Sequence, residues 1–131
     1  MSEAFITASN KSEVLRLLNT NRIIAGQGSL GGFAYTVDPS APYMAAAIHA
    51  GSKVRNALLP LMKISPEERF FEEDPATDTM IQEAASAVWG LDSRSEYDLN
   101  RPLSKALPLT PEQFWGRQVY SEQPGQRMNR E

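Results

Sequence analysis

The sequence predicts one α/β domain, a mixed sheet with flanking helices, over residues 1–131, and two observations lead to this class. Short apolar runs that suit buried strands alternate with amphipathic patterns that suit helices. The length of 131 residues and the hydrophobic content of 41% fit a single hydrophobic core. No apolar stretch reaches the roughly 20 residues that a membrane-spanning helix needs.

Charge and cysteine content exclude several classes of function. A net charge of −3 gives no electrostatic basis for binding nucleic acid or an anionic membrane. The sequence has no cysteine, so disulfides, thiolate zinc sites and thiol nucleophiles are excluded. The first residues carry no basic segment followed by an apolar run, so a signal peptide is not expected. We therefore expect a cytoplasmic protein with no nucleic-acid or membrane partner.

The first half of the chain predicts a helix, a glycine-rich loop and a strand. Residues 12–19 carry apolar side chains at helical spacing after a capping serine. Residues 26–32 are rich in glycine but lack the Lys-Ser/Thr of a phosphate-binding loop, which favours a turn or hairpin loop. Residues 43–48 form an apolar run of the length of a buried strand.

The next segments predict two helices. Residues 52–62 carry helical periodicity, and Pro60 would end that helix. Ser65, followed by a proline and then by Glu68, predicts a helix that starts with a capping box.

The remaining segments predict a helix, an extended stretch and a loose end. Residues 77–88 have apolar side chains at helical spacing, with Gly90 as the end of that helix. Residues 93–102 predict an extended segment, and residues 120–131 predict a loose tail because they lack apolar periodicity.

His49 is the single histidine of the sequence, so any imidazole chemistry depends on it. It lies just after the predicted strand, where α/β sheets place their ligand sites. Gly51, two residues later, permits a tight turn and close backbone approach. The alternative is a histidine in a surface turn with no role.

An acidic segment spans residues 72–78. One or two of its carboxylates beside a neutral imidazole would form a zinc site with histidine and carboxylate ligands. The alternative is a solvated helix N-terminus, where acidic side chains interact favourably with the helix dipole. The segment contains Glu72, Glu73, Asp74 and Asp78.

Residues 93–102 combine two arginines with an asparagine. Arg94, Asn100 and Arg101 can hold a carboxylate, because the guanidinium fork matches its two oxygens. Asp98 can orient Arg101 or an imidazole. The alternative is a surface strand in which Glu96 and Asp98 neutralise the arginines. In an extended chain, Arg94, Glu96, Asp98 and Asn100 would share one face, and Arg101 would lie on the other unless the strand ends at Leu99.

Taken in order, these three segments resemble the N-formylglutamate amidohydrolase family. Its pattern runs from a His-(Ala/Ser)-Gly turn, through an acidic Asp-x-x-x-Asp segment, to Ser-Arg-x-x-x-Asp-Leu-Asn-Arg-Pro. Here these are residues 49–51, 74–78 and 93–102. Phe114-Trp115-Gly116 resembles a further element of the family, and the resemblance covers residues 43–119. The Asp-Leu-Asn-Arg string is also similar to that of zinc carboxypeptidases.

The resemblance implies a carboxypeptidase-like α/β fold and a zinc-dependent hydrolase. Such an enzyme cleaves the amide of an N-acyl amino acid, such as N-formyl-L-glutamate, through a zinc-activated water. By the resemblance, Asn100 and Arg101 grip the substrate α-carboxylate. Arg94 polarises the scissile carbonyl and stabilises its oxyanion.

The resemblance also implies a metal site. His49 is the first ligand and Asp74 the first carboxylate candidate, with Glu73 second. Zinc carboxypeptidases have a glutamate three residues after the histidine, and this chain has Ser52 there. The family supplies a further histidine from its C-terminal half, and this sequence has none, so it corresponds to an N-terminal portion.

Two interpretations follow from that departure. In the first, a homo-oligomer or the missing C-terminal half completes a zinc-dependent amidohydrolase. In the second, the chain is a truncated, non-catalytic relative that acts as a carboxylate-binding or protein-interaction module. Metal content separates the two, because only the first requires a metal ion.

Overall fold

A computed structural model describes residues 4–5 and 11–121 of the chain. Within these residues it contains five strands in one sheet, three short α-helices and three single 3₁₀ turns. In chain order the strands and helices are β1 (Ala4–Phe5), α1 (Lys11–Leu18), β2 (Ile24–Gln27), β3 (Phe33–Val37), β4 (Ala45–Ala47), α2 (Pro66–Glu72), α3 (Thr77–Met80) and β5 (Ala87–Gly90). The 3₁₀ turns are Leu59–Leu61, Leu103–Lys105 and Pro111–Phe114.

The sheet is mixed and its strand order is β1-β2-β3-β5-β4. β2 and β3 are antiparallel, as are β3 and β5, whereas β4 runs parallel to β5. This arrangement confirms the predicted α/β class with a mixed sheet and helices. Because β4 and β5 are parallel, both point their carboxyl ends toward the same edge of the sheet.

Three local predictions are confirmed. α1 forms where the spacing of apolar residues predicts it, but it begins at Lys11, so Ser12 lies within the helix and does not cap it. The glycine-rich segment is the turn of the β2–β3 hairpin, closed by a hydrogen bond of 2.9 Å from the Gly28 amide to the Phe33 carbonyl. α2 begins with the predicted capping box, in which Ser65 and Glu68 each accept a hydrogen bond from the other's backbone amide.

The helix predicted over residues 52–62 is wrong. This stretch consists of turns, and its one helical turn is the 3₁₀ segment Leu59–Leu61. The Lys53 amide donates to the Leu91 carbonyl at 3.1 Å, and the Ser93 amide donates to the Lys53 carbonyl at 2.7 Å. These long-range bonds fix the start of the stretch beside β5, and Pro60 lacks the amide that a regular helix would use.

The helix predicted over residues 77–88 is also wrong, since α3 ends at Met80 and β5 begins at Ala87. Residues of β5 pair with β3 on one side and with β4 on the other, so sheet pairing overrides the helical periodicity. Gly90 therefore ends a strand rather than a helix.

Two hydrophobic clusters hold the described chain together. One packs Val14, Leu17 and Leu18 of α1 against the buried side chains of Ile24 and Tyr35 on the sheet. The other lies between the turns that follow β4 and those that follow β5, and its buried members are Leu58, Leu61, Ile64, Phe114, Val119 and Tyr120.

Burial of Tyr120 corrects the start of the predicted loose tail. Its ring belongs to the second cluster, and its hydroxyl donates a hydrogen bond of 3.0 Å to the Ser95 carbonyl. Residues 122–131 of that predicted tail lie outside the described residues. In the part of the chain that is described, no helix is long and apolar enough to span a bilayer.

Glycine at position 90 permits the close approach of the two parallel segments. A Cβ added there would overlap the carbonyl oxygen of Ile48. Gly90→Ala should therefore reduce the free energy of unfolding by about 3 kcal/mol, the upper range for overpacking. Urea denaturation monitored by circular dichroism measures this change.

Gly31→Ala provides the matched control for that substitution. Gly31 has a φ of 72° and no atom within 4 Å of an added Cβ, so only backbone strain applies. We expect a loss of about 1 kcal/mol. Equal losses for the two variants would contradict the steric role of Gly90.

Candidate functional site

The site lies at the carboxyl edge of the two parallel strands. Residues 48–51 leave β4 and residues 91–98 leave β5, and backbone hydrogen bonds through Lys53 hold the two segments side by side. This geometry brings His49 to Asp98, which is 49 positions away in the chain. The predicted placement of His49 just past the end of a strand is thus confirmed.

A buried hydrogen bond joins these two side chains. His49 Nε2 lies 2.8 Å from Asp98 Oδ1, and the residues are 5% and 2% exposed. An ionised carboxylate can only accept a hydrogen bond, so the bond places a proton on Nε2. In the neutral imidazole, Nδ1 then carries the free lone pair.

Three further donors surround the Asp98 carboxylate. The Asn100 amide donates at 2.9 Å, Arg94 Nη2 donates at 3.0 Å, and Arg101 Nε lies 3.8 Å away. Burial acts to raise the pKa of Asp98. The hydrogen bonds from Asn100 and Arg94, with the charges of Arg94 and His49, outweigh burial and hold that pKa below its ordinary value.

Asp74 faces the other nitrogen of the imidazole. Its Oδ2 lies 3.6 Å from His49 Nδ1, which is too long for a hydrogen bond. This distance of 3.6 Å is close to the separation of two ligand atoms on a tetrahedral zinc ion. That separation is about 3.3 Å for zinc–ligand bonds of about 2.0 Å. The Asp74 amide donates to the His49 carbonyl at 3.0 Å, which fixes the acidic segment beside the histidine.

Glu73 is placed differently from Asp74. It is buried, at 6% exposed, and its Oε1 accepts a hydrogen bond of 2.5 Å from the Ser93 hydroxyl. This bond ties the acidic segment to the segment after β5. Among the described residues, no group of three or more His, Asp or Glu side chains converges as a metal site. His49 and Asp74 are thus a pair of donors that fits two positions of a zinc ion.

The extended conformation predicted for residues 93–102 is wrong. Residues 94–96 form a turn, so Arg94 pairs with Asp98 one helical turn away. Arg101 also approaches Asp98, so it does not lie on the opposite face, where a strand that continued past Leu99 would place it. Asp98 contacts both an imidazole and Arg101, as its sequence position had suggested.

The alternative of a surface ion-pair strand is wrong in its conformation and for Glu96, whereas the pairing of Asp98 with both arginines is confirmed. Glu96 is 1% exposed and pairs with Arg55, whose amide donates to Glu96 Oε2 at 3.0 Å. Burial raises the pKa of Glu96, and the hydrogen bond and charge of Arg55 oppose that rise. Glu96 therefore belongs to the packing beneath the turn and not to the neutralisation of Arg94.

The residues predicted to bind substrate lie at the rim of this cluster. The Asn100 side chain is exposed, and the hydrogen bond to Asp98 comes from the Asn100 backbone amide. The Arg101 side chain is 40% exposed. Arg94 lies deeper, and its Nη1 donates to the Glu72 carbonyl at 3.2 Å. Asn100 and Arg101 are thus the solvent-accessible part of the cluster, and Arg94 is its buried part.

Trp115 is a member of the site to which the sequence assigns no role of its own. Its ring lies 4.6 Å from the Arg94 guanidinium carbon and 5.7 Å from that of Arg101. Both distances fall within the range of cation–π contact. The sequence feature that could have indicated a role for Trp115 is the pair of adjacent aromatic residues before Gly116. A turn can bury only one of the two, and here the buried one is Phe114.

Comparisons of this chain with protein-family models, with curated proteins and with solved structures find no match. The chemistry of the site is therefore argued from its own atoms. An oriented imidazole beside a half-exposed carboxylate can bind a cation, and exposed cationic and amide side chains nearby can bind an anion.

Asp98→Asn tests the central hydrogen bonds. We expect the free energy of unfolding to fall by about 3 kcal/mol, because removal of one partner leaves buried charge uncompensated. Urea denaturation at neutral pH measures the loss.

The acid limb of the stability profile gives a second test of Asp98. The folded-state pKa lies below the ordinary value of 3.8, so the contribution of Asp98 is present above that value and is lost as pH falls through the folded pKa. The acid loss of stability should therefore be shallower in Asp98→Asn. Asp78→Asn, a change of the same kind outside the cluster, should keep the wild-type limb. Identical limbs in all three proteins would contradict this role.

Proposed function

We propose that this chain carries the metal- and substrate-binding edge of a zinc-dependent amidohydrolase of the N-formylglutamate amidohydrolase type. The observation that carries the proposal is the arrangement of His49, whose Nε2 is bonded to buried Asp98 while Nδ1 faces Asp74 at 3.6 Å. Zinc-ligating histidines commonly donate their other ring N–H to a carboxylate, which fixes the tautomer and the ring orientation. Because Asp98 fixes the ring through Nε2, Nδ1 is held facing Asp74, and these two groups can bind one metal ion.

In this proposal, His49 and Asp74 hold the zinc ion. A catalytic zinc ion usually has three protein ligands. The third comes from Glu73, after release of its bond to Ser93, or from a donor outside these 131 residues, in a homo-oligomer or in further polypeptide. A zinc ion at this site supplies Lewis acidity, which makes water nucleophilic near neutral pH.

The chain's own residues bind and polarise the substrate. Asn100 and Arg101, exposed at the rim, take the α-carboxylate of an N-acyl amino acid. Arg94 donates to the oxygen of the scissile amide as negative charge develops there. Its Nε has no hydrogen-bond partner within the described residues, and because that atom is buried, it reaches the substrate oxygen only when the turn at residues 94–96 opens.

The proposed reaction is a hydrolysis. Water oxygen bonds to the acyl carbon, the amide C–N bond breaks with its electron pair staying on nitrogen, and a water proton passes to that nitrogen, which leaves as the amine. The products are a carboxylate, formate in the case of a formyl group, and a free amino acid. Asp98 stays ionised, because its own pKa lies below the ordinary value, and it remains the carboxylate that faces Nε2 of His49 at 2.8 Å.

One observation favours a second candidate function. The described residues provide a pair of metal donors rather than a group of three. A non-catalytic module that binds a carboxylate needs only Asn100, Arg101 and their support by Asp98. The first experiment therefore asks whether metal binds.

Zinc content measured by atomic absorption after dialysis against micromolar zinc tests the metal site. We expect close to one zinc ion per chain for the wild type and none for His49→Ala. Asp98→Asn should weaken zinc affinity about tenfold to a hundredfold, the usual effect of a lost partner of a ligating histidine.

Two acidic residues of one segment provide the matched control. Asp74→Asn should lose zinc, and Asp78→Asn should retain it. Equal zinc content in both variants would remove Asp74 from the site. Absence of zinc from the wild type would overturn the hydrolase proposal for this chain and leave the carboxylate-binding module.

Steady-state kinetics with N-formyl-L-glutamate test the substrate residues in the zinc-loaded protein. Arg101→Ala should raise KM about tenfold with kcat nearly unchanged, because its contact with the α-carboxylate is the same in the ground state and the transition state. Arg16→Ala, an exposed arginine on α1, is the control and should keep both constants. A lower kcat with unchanged KM would contradict the assignment of Arg101.

A further inference from the structure

Trp115 has an unusual backbone conformation for a large aromatic residue. Its φ and ψ are 50° and 37°, in the left-handed region that side chains other than glycine rarely adopt. The residue ends the 3₁₀ turn Pro111–Phe114, and Gly116 continues in the same region with a φ of 81°. Strained backbone of this kind persists only where surrounding structure holds it, and it is concentrated at functional sites.

The neighbouring Phe114 explains how the strain is held. Phe114 is fully buried in the second hydrophobic cluster, and its ring meets that of Trp115 edge to face at 5.2 Å. With Phe114 fixed, the left-handed turn directs the Trp115 ring away from that cluster and toward Arg94 and Arg101. Trp115 remains 53% exposed, so burial of the ring in the hydrophobic cluster does not explain its position.

The contact with the Trp115 ring matters more for the orientation of Arg101 than for that of Arg94. Arg94 is largely buried and already donates to Asp98 and to the Glu72 carbonyl. Arg101 is 40% exposed, and among the described residues its side chain has one polar contact, the long one of 3.8 Å to Asp98. The Trp115 ring is therefore the second surface that limits the rotation of the Arg101 guanidinium.

The geometry points to Trp115 as the positioning residue that holds Arg101, and with it Arg94, in the orientation that receives a carboxylate. This inference rests on the carboxylate-binding part of the proposed function and not on the metal site. An aromatic face over a guanidinium attracts the cation while its N–H edge stays free for the planar, two-bond contact with a carboxylate. The ligand is thus a carboxylate approaching in the plane of the guanidinium.

NMR titration of the full chain with glutarate tests the inference, because this dicarboxylate has no amide bond to cleave. In Trp115→Leu, the dissociation constant should rise about fivefold, the loss expected for an exposed cation–π contact. In Trp115→Phe, which keeps an aromatic face, it should stay within about twofold. Trp89→Leu, the matched change at the other tryptophan, should bind as the wild type does.

Side-chain Nε–Hε resonances of the arginines provide a readout that loss of stability would not produce. The ring current of Trp115 should shift the signals of Arg94 and Arg101, and Trp115→Leu should abolish those shifts. Trp115→Gly is the companion variant, because glycine suits the left-handed backbone and removes the ring without adding strain. It should fold and show the same weakened binding as Trp115→Leu.

Several outcomes would overturn the inference. They are wild-type affinity in Trp115→Leu or Trp115→Gly, equal weakening in Trp115→Leu and Trp115→Phe, and absence of glutarate binding by the wild type. Failure of the proposed function is a separate result. If the wild type binds glutarate in a Trp115-dependent way but neither binds zinc nor hydrolyses N-formyl-L-glutamate, the amidohydrolase proposal fails and the positioning role of Trp115 stands.

Discussion

The buried Asp98 carboxylate is the group on which the site depends. An ionised carboxylate at 2% exposure is stable only where donors replace the water it has lost. Here the donors come from the turn after β4, through His49, and from its own turn, through Arg94 and the Asn100 amide. The same carboxylate that fixes the imidazole therefore also determines the path of residues 93–102, because an extended chain could not bring those donors to one point.

Local sequence rules predict the elements whose determinants are local. The capping box of α2 needs only Ser65 and Glu68, and the β2–β3 turn needs only its glycines. The helix predicted over residues 77–88 stops at Met80 and is followed by turns, and its last two residues, Ala87 and Val88, pair with β3 and β4 instead. Their conformation is decided by partners far away in the sequence, which periodicity does not record.

The candidate site shows the same difference between features set by local sequence and features set by tertiary contacts. The family resemblance groups His49, Asp74, Arg94 and Arg101, and the structure brings these four into one set of contacts around Asp98. The partner of Glu73 was not predictable, since Ser93 reaches it only because the segment after β5 turns back. Likewise, no spacing rule states that a left-handed turn at Trp115 directs its ring to both arginines. Roles set by tertiary contact are thus the part that sequence patterns miss.

The close backbone approach at Gly90 has a consequence for how this protein can change over generations. A side chain at Gly90 would overlap the Ile48 carbonyl, and one at Gly51 would overlap Leu91. Any larger residue at these two positions would therefore disturb the backbone. The side chains of Asn100 and Arg101 face solvent, so they can be exchanged without disturbing the sheet. In the proposed function, the residues that set ligand preference are therefore distinct from these two glycines, so specificity can change while the framework that aligns His49 with Asp98 is preserved.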